Sequence, residues 1–214
     1  MESEPPVIGV GRSRTEQIIL DSAIEIIEAR GEAGLRVQEL ARLVGVGVTS
    51  IYRLFGSRDG LVVAAQAERY ISVLMQDLDR FAIGAAACRS QDDVVDLINS
   101  TLDELMSGDA ISPRMSRMSR MSRMNVVGSA QSRPELAEAL RTAQTEFNAG
   151  LVEVLRPLQE QGWLRGDVDL DALAPWLPGI LLSRTLIEFG EAATNGPAWN
   201  EITRRAVLAV MLPE

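Results

Sequence analysis

Histidine and lysine are both absent from the 214 residues, and cysteine occurs once, at Cys88. Without histidine there is no Ser-His-Asp triad, no Cys-His dyad and no Cys/His zinc site. A single thiol excludes a disulfide framework. Without lysine, all 21 basic residues are arginine, which removes P-loop phosphate binding and Schiff-base chemistry. Aromatic residues make up only 4%, so the core has to be built from Leu, Val, Ile, Ala and Met. The longest apolar stretch, 172–182, is too short to span a bilayer and contains Pro175 and Pro178. The N-terminal MESEPPVIGVG lacks the basic-then-apolar order of a signal peptide. These absences predict a cytoplasmic chain with no membrane partner. No enzymatic activity, cofactor or metal is expected.

What is present supports a packed helical protein. The composition is 46% hydrophobic and 24% charged, compatible with one large domain or a small one joined to a larger one. The formal net charge is −9. Residues 1–60 carry a net −2 of this, and the acidity lies mostly beyond them. An overall negative charge does not forbid a DNA-binding face, because screening confines charge effects to about 8 Å at physiological salt. Residues 1–12 read as a flexible arm. Ser13 and Glu16 form a capping-box pattern before the periodic Ile18, Ile19, Ala23, Ile26 and Ile27, predicting a helix over about 13–30. Val37, Leu40, Ala41 and Val44 predict a short helix closed by Gly45, and Val48, Ile51, Leu54 and Phe55 another closed by Gly56. Further helices are expected at about 57–81, 90–106, 114–127, 132–161, 169–189 and 198–212. No stretch alternates with period two between hairpin turns, so strands are not expected. The predicted fold class is all-α with about nine helices.

Two short helices around a Gly-containing turn make a helix-turn-helix. On a helical wheel, Val48, Ile51, Leu54 and Phe55 share one side of the second helix, while Thr49 and Arg53 lie opposite, flanked by Ser50 and Tyr52. One face anchors the helix and the other offers hydroxyls, a phenol and a guanidinium to phosphates and base edges. The residues Leu40-Ala41, Gly45-Val46, Ile51-Tyr52, Phe55, Ser57-Arg58-Asp59 and Leu61 give the stretch 14–61 its resemblance to the TetR family of bacterial transcriptional regulators. That resemblance implies a three-helix DNA-binding domain over 13–57 and a helical ligand-binding and dimerisation domain over 58–214. It places Thr49, Ser50, Tyr52 and Arg53 in or beside the major groove. Arg58 would touch phosphate at the start of the fourth helix, with Arg14 and Arg36 as further DNA contacts. Three positions depart from the family pattern: Arg36 stands where Thr or Ser usually caps the second helix, Gly47 where a Ser is usual, and Arg58 where a Lys is usual.

The resemblance further implies a homodimer on a palindromic operator, released by a small, mostly apolar effector. The last two helices are the expected interface, through Leu173, Leu177, Ile180, Leu181, Leu186, Val207, Val210 and Met211. The expected effector contacts are Met106, Phe147, Trp176 and three methionines, Met115, Met118 and Met121, of an Arg-Met-Ser triplet repeat over 114–124. Methionine is unbranched and adaptable, which suits a deformable cavity; core filling is the plainer explanation. Two rivals stand beside this reading. One is a helical ligand-binding dimer with weak or lost DNA affinity, which Gly47 and Arg36 leave open. The other is a helical enzyme, for which the acidic pairs at helix starts give no support beyond capping.

Overall fold

Every helix expected from periodicity is present, with ends that local capping explains. The computed structural model describes residues 13–106, 115–188 and 196–213, with backbone alone at 115–122, 181 and 185–188. Among the described residues there are nine α-helices and no strand: α1 (Arg14–Arg30), α2 (Val37–Val44), α3 (Val48–Phe55), α4 (Arg58–Ala87), α5 (Gln91–Met106), α6 (Met115–Ala130), α7 (Pro134–Glu160), α8 (Leu170–Glu188) and α9 (Gly196–Met211). A 3-10 turn at Glu32–Gly34 replaces the irregular break expected there. Ser13 Oγ accepts the Glu16 N–H at 3.2 Å, Ser57 Oγ that of Gly60 at 2.9 Å, and Ser90 Oγ that of Asp93 at 3.2 Å. Each hydroxyl satisfies a donor that the first helical turn leaves without a partner. Asp93 returns the bond by accepting the Arg89 N–H at 2.7 Å, and that bond, followed by the Ser90 hydroxyl, holds its carboxyl below the ordinary value. α4 outruns its expected end near Phe81 because Ala82 and the alanines at 85–87 propagate the helix.

The chain divides into two units. The first comprises residues up to Val73 together with Asn125–Ala143. Its core is Ile19, Leu20 and Ala23 of α1, Leu35, Leu40 of α2, Ile51 of α3, and Leu61, Val62 and Ala65 of α4, all fully buried. The expected boundary between residues 57 and 58 therefore falls inside this unit. The first half of α4 supplies the floor on which α1–α3 pack, and the division comes only at Val73. The second unit comprises Leu74–Met124 and Gln144–Glu214. Leu74, Met106, Leu155 and Ala174 are among its most buried residues.

Candidate nucleic-acid interface

The turn between α2 and α3 depends on Gly45, whose φ of 70° and ψ of 29° lie in the left-handed region. A β-carbon is disfavoured there, and glycine adopts it freely. The turn is closed by the Gly45 N–H and, at 3.0 Å, the Val46 N–H, both donating to Ala41 O. At the other end of α3, Gly60 lets α4 start close against it: a β-carbon on Gly60 would sit 2.1 Å from Phe55 O. The two glycines thus fix both ends of an eight-residue helix.

α3 is amphipathic as its spacing predicts. Ile51 is fully buried, and Val48 and Phe55 pack against the core. Thr49 and Arg53 are exposed, Tyr52 is 42% exposed and Ser50 is intermediate. Leu54 departs from the expectation: its spacing predicts the anchoring side, but it is 37% exposed. Its neighbour Phe55 fills the inward position at the end of so short a helix. Arg36 occupies the N-cap position of α2 without capping it, as its side-chain type requires, and is exposed. Arg14 is exposed at the first position of α1. Among the described residues, neither Arg36 nor Arg53 is held in an ion pair, so both guanidiniums can meet an external anion. Leu43 of α2, 65% exposed, and the exposed Arg42 beside it lie outside the expected site. Leu43 breaks the helical spacing of its neighbours, which was the available sign that it does not serve the core.

Arg58, expected on phosphate, has partners within the chain. Its Nε donates to Leu35 O at 2.9 Å, and a second nitrogen donates to Glu32 O. The side chain ties the 3-10 turn and the entry to α2 onto the start of α4. With two of its nitrogens on backbone carbonyls, the guanidinium is not poised for the bidentate phosphate contact that the resemblance implied.

The same turn carries a cluster that sequence reading missed. Glu32 Oε1 accepts from Gln66 Nε2 at 2.7 Å and from Ser129 Oγ at 2.6 Å, while Glu32 Oε2 faces a nitrogen of Arg133 at 2.9 Å. Arg133 also donates from Nε to Asp59 Oδ1 at 2.9 Å and reaches Ser129 Oγ. Burial pushes the Glu32 carboxyl upward, but the Ser129 and Gln66 hydrogen bonds and the Arg133 charge outweigh it, and the net value lies below the ordinary 4.5. All five residues belong to the first unit, so the end of α6 and the start of α7 are pinned to the helix-turn-helix core by one carboxylate. No spacing signal marks a pair 101 positions apart.

The second unit holds a cavity of about 90 Å³. Phe147, expected at the effector site, lines it; so do Leu177, Val207 and Met211, which were expected at the dimer interface. Val207 and Met211 are almost fully buried, as is Leu173 of α8. These three serve the core of the protomer because they lie on the inward sides of their helices. Leu177, Ile180 and Val210 are partly covered. Met106, fully buried, and Trp176, 36% exposed, are not part of the cavity wall. The side chains of Met115, Met118, Met121, Leu181 and Leu186 lie outside the described residues. The outward sides of α8 and α9 also carry apolar residues: Ala172, Trp176 and Gly179 on α8, and Ala198, Ile202 at 68% exposure and Ala206 on α9, beside the exposed Glu201–Arg205 ion pair. In the second unit Arg184 donates to Gly196 O at 3.3 Å and stands 5.4 Å from the Trp199 ring centre.

A buried three-helix core that presents one short polar helix face defines an all-α, helix-turn-helix DNA-binding protein. Residues 19–65 match the family described as bacterial regulatory proteins, tetR family. On that match residues 19–65 form a tetR-family N-terminal domain. No curated protein matches it in sequence. Solved structures share the fold at low identity. A TetR-family regulator from Cytophaga hutchinsonii is 14% identical with a TM-score of 0.71, over 95% of this chain and 100% of that one. A protein from Saccharomonospora viridis, solved in complex with choline, is 16% identical with a TM-score of 0.67, over 95% and 100%. NemR of E. coli in its reduced form is 16% identical with a TM-score of 0.66, over 94% and 99%. Among the described residues, no helix is long and apolar enough to cross a membrane.

Proposed function

We propose that the chain is a ligand-responsive repressor that binds a palindromic operator as a homodimer and leaves it when a small, mostly apolar effector binds the second unit. The observation that carries this reading is α3: eight residues between two glycine-dependent turns, anchored by Ile51, with Thr49, Tyr52 and Arg53 exposed. Thr49 and Arg53 would read base edges; Tyr52, Arg36 and Arg14 would contact the phosphate backbone. Two further features support it. The outward sides of α8 and α9 leave Trp176 and Ile202 to water, an apolar exposure that a second protomer would cover. The cavity is almost wholly apolar, which suits the effector class, and the fold relative from S. viridis was solved with a small molecule, choline. The effector would act by linkage, favouring a spacing of the two α3 helices that mismatches successive major grooves about 34–36 Å apart.

The test is selection of binding sequences from a random duplex pool, followed by sedimentation of the protein and of its complex. The reading expects a palindromic consensus bound by two protomers. A pool that yields no consensus would favour instead a ligand-binding dimer with lost DNA affinity, to which the missing side-chain caps at Arg36 and Gly47 lend weight.

A further inference from the structure

The apolar cavity of the second unit has one charged corner. Leu78, Phe81, Ile98, Leu102, Phe147 and Val207 form most of its wall, and Asp77 and Arg123 stand among them. The two are ion-paired to each other, and their side chains are only 16% and 13% exposed. Asp77 is not Arg123's alone: its other oxygen is bound by Arg80. One carboxylate therefore serves two guanidiniums. The remaining acid near Arg80 is Glu104, 3.7 Å away and 66% exposed, where water screens it. The buried guanidinium, Arg123, therefore has only a shared carboxylate to meet its charge. Arg123 Nε is moreover buried with no acceptor among the described residues. A buried donor without a partner is uncommon and costly, and calls for a group that the structure does not contain.

We infer that the cavity takes a small carboxylate: a short-chain or single-ring acid whose apolar part fills the space between Phe147 and Leu102 and whose carboxylate accepts from Arg123. The open hydrogen-bonding capacity is a donor, which requires an acceptor. A cationic ligand would have to win Asp77 from two arginines at once. Guanidinium and carboxylate match in a fork geometry, and the pair forms where the apolar wall has already excluded most water. Size sets the other bound. Drug-sized ligands occupy roughly 300–1,000 Å³, whereas an enclosed cavity on the order of 150 Å³ takes benzene; this one, at about 90 Å³ and open on one side, admits a few carbons or at most one ring that reaches into its mouth.

The inference rests on the effector-site reading above, and its test is separable from it. Binding of benzoate, benzamide and benzyltrimethylammonium to the full chain is measured by calorimetry without DNA, and operator binding is measured on the same preparation. Benzoate is expected to bind about tenfold or more tighter than benzamide, the worth of one charge-assisted hydrogen bond. Arg123→Gln is expected to bring the two within about threefold of each other. Asp77→Asn, which leaves Arg123 in place and removes its competitor, is expected to tighten benzoate binding and so carries the test even if Arg123→Gln folds poorly. Equal affinity for benzoate and benzamide overturns the inference. So does tighter binding of the ammonium probe that Asp77→Asn abolishes, or no binding by any of the three. If operator binding is intact in those cases, only the ligand class fails; if operator binding is absent while benzoate binds selectively, the regulator reading fails and the cavity assignment stands.

Discussion

Arg133→Ala should loosen the helix-turn-helix core although Arg133 lies 74 positions beyond Asp59 and 103 beyond the end of α1. Three ties are lost. The pair with Asp59, whose side chain is 61% exposed, contributes at most about 1 kcal/mol after solvent screening. The pair with Glu32 is better shielded, at 17% and 26% exposure, and a hydrogen bond between charged groups there is worth about 1–2 kcal/mol after the same discount. The Ser129 contact adds little, because Ser129 keeps Glu32 as an acceptor. The sum is about 2 kcal/mol, or about 30-fold in the opening equilibrium of the first unit. The loss should be local. Trp163, Trp176 and Trp199 all belong to the second unit, so tryptophan fluorescence is blind to it. Amide hydrogen exchange over α1–α3 is the suitable assay, with about 30-fold faster exchange expected in the slowest amides. A double-mutant cycle with Glu32→Gln should return a coupling of about 1 kcal/mol, and one with Asp59→Asn a coupling near zero. Unchanged protection across α1–α3, or a larger coupling to Asp59 than to Glu32, would refute the assignment of Glu32 as the hub.

Four further outcomes follow from the same residues. Because the Glu32 carboxyl titrates below its ordinary value in the folded chain, its contribution is complete above pH 4.5 and is lost as the pH falls through the lower folded value; Glu32→Gln should flatten that part of a denaturation-midpoint profile against pH. Arg53→Ala should change the selected consensus, at about 1–3 kcal/mol at the affected base pair, whereas Arg36→Ala should weaken all duplexes alike and lower the salt slope by about one, as read from binding isotherms at several salt concentrations. Ile202→Glu places a charge in the centre of the exposed α9 face and should shift sedimentation from dimer to monomer at micromolar concentration; an unaltered dimer would locate the interface elsewhere. Gly60→Ala should cost about 1–3 kcal/mol in a urea melt, since its β-carbon would meet a backbone oxygen that cannot give way without moving α3.

The parts of this protein legible in the sequence are those governed by neighbours in the chain. The ends of α2 match their expected positions because Gly45 and the Val37, Leu40 and Val44 spacing act within one or two turns. The same holds for Ser13, Ser57 and Ser90, each of which caps a donor three residues on. What failed was the side on which an apolar residue is used. α8 and α9 carry apolar residues on both sides, so periodicity announces burial without saying whether the cover is the chain's own core or another chain. Val207 and Met211 lie inward; Ile202 stays outside.

Arginine was harder still to place, because guanidinium is at home on a phosphate, on a carboxylate or on a backbone carbonyl, and the sequence gives only its position. Arg58 sits in a motif that implied phosphate, yet Leu35 O and Glu32 O lie within its reach. Arg123 sits in a triplet repeat whose methionines suit a cavity by their chemistry, yet it is this arginine that stands at the cavity wall beside Asp77. With lysine absent, the chain has only guanidinium for each of these tasks. The arginines therefore sort by surroundings: those whose nitrogens are spoken for, such as Arg58 and Arg133, hold the fold, and those with open nitrogens, Arg53 on the surface and Arg123 inside, mark the places where an anion from outside the chain has a physical reason to bind.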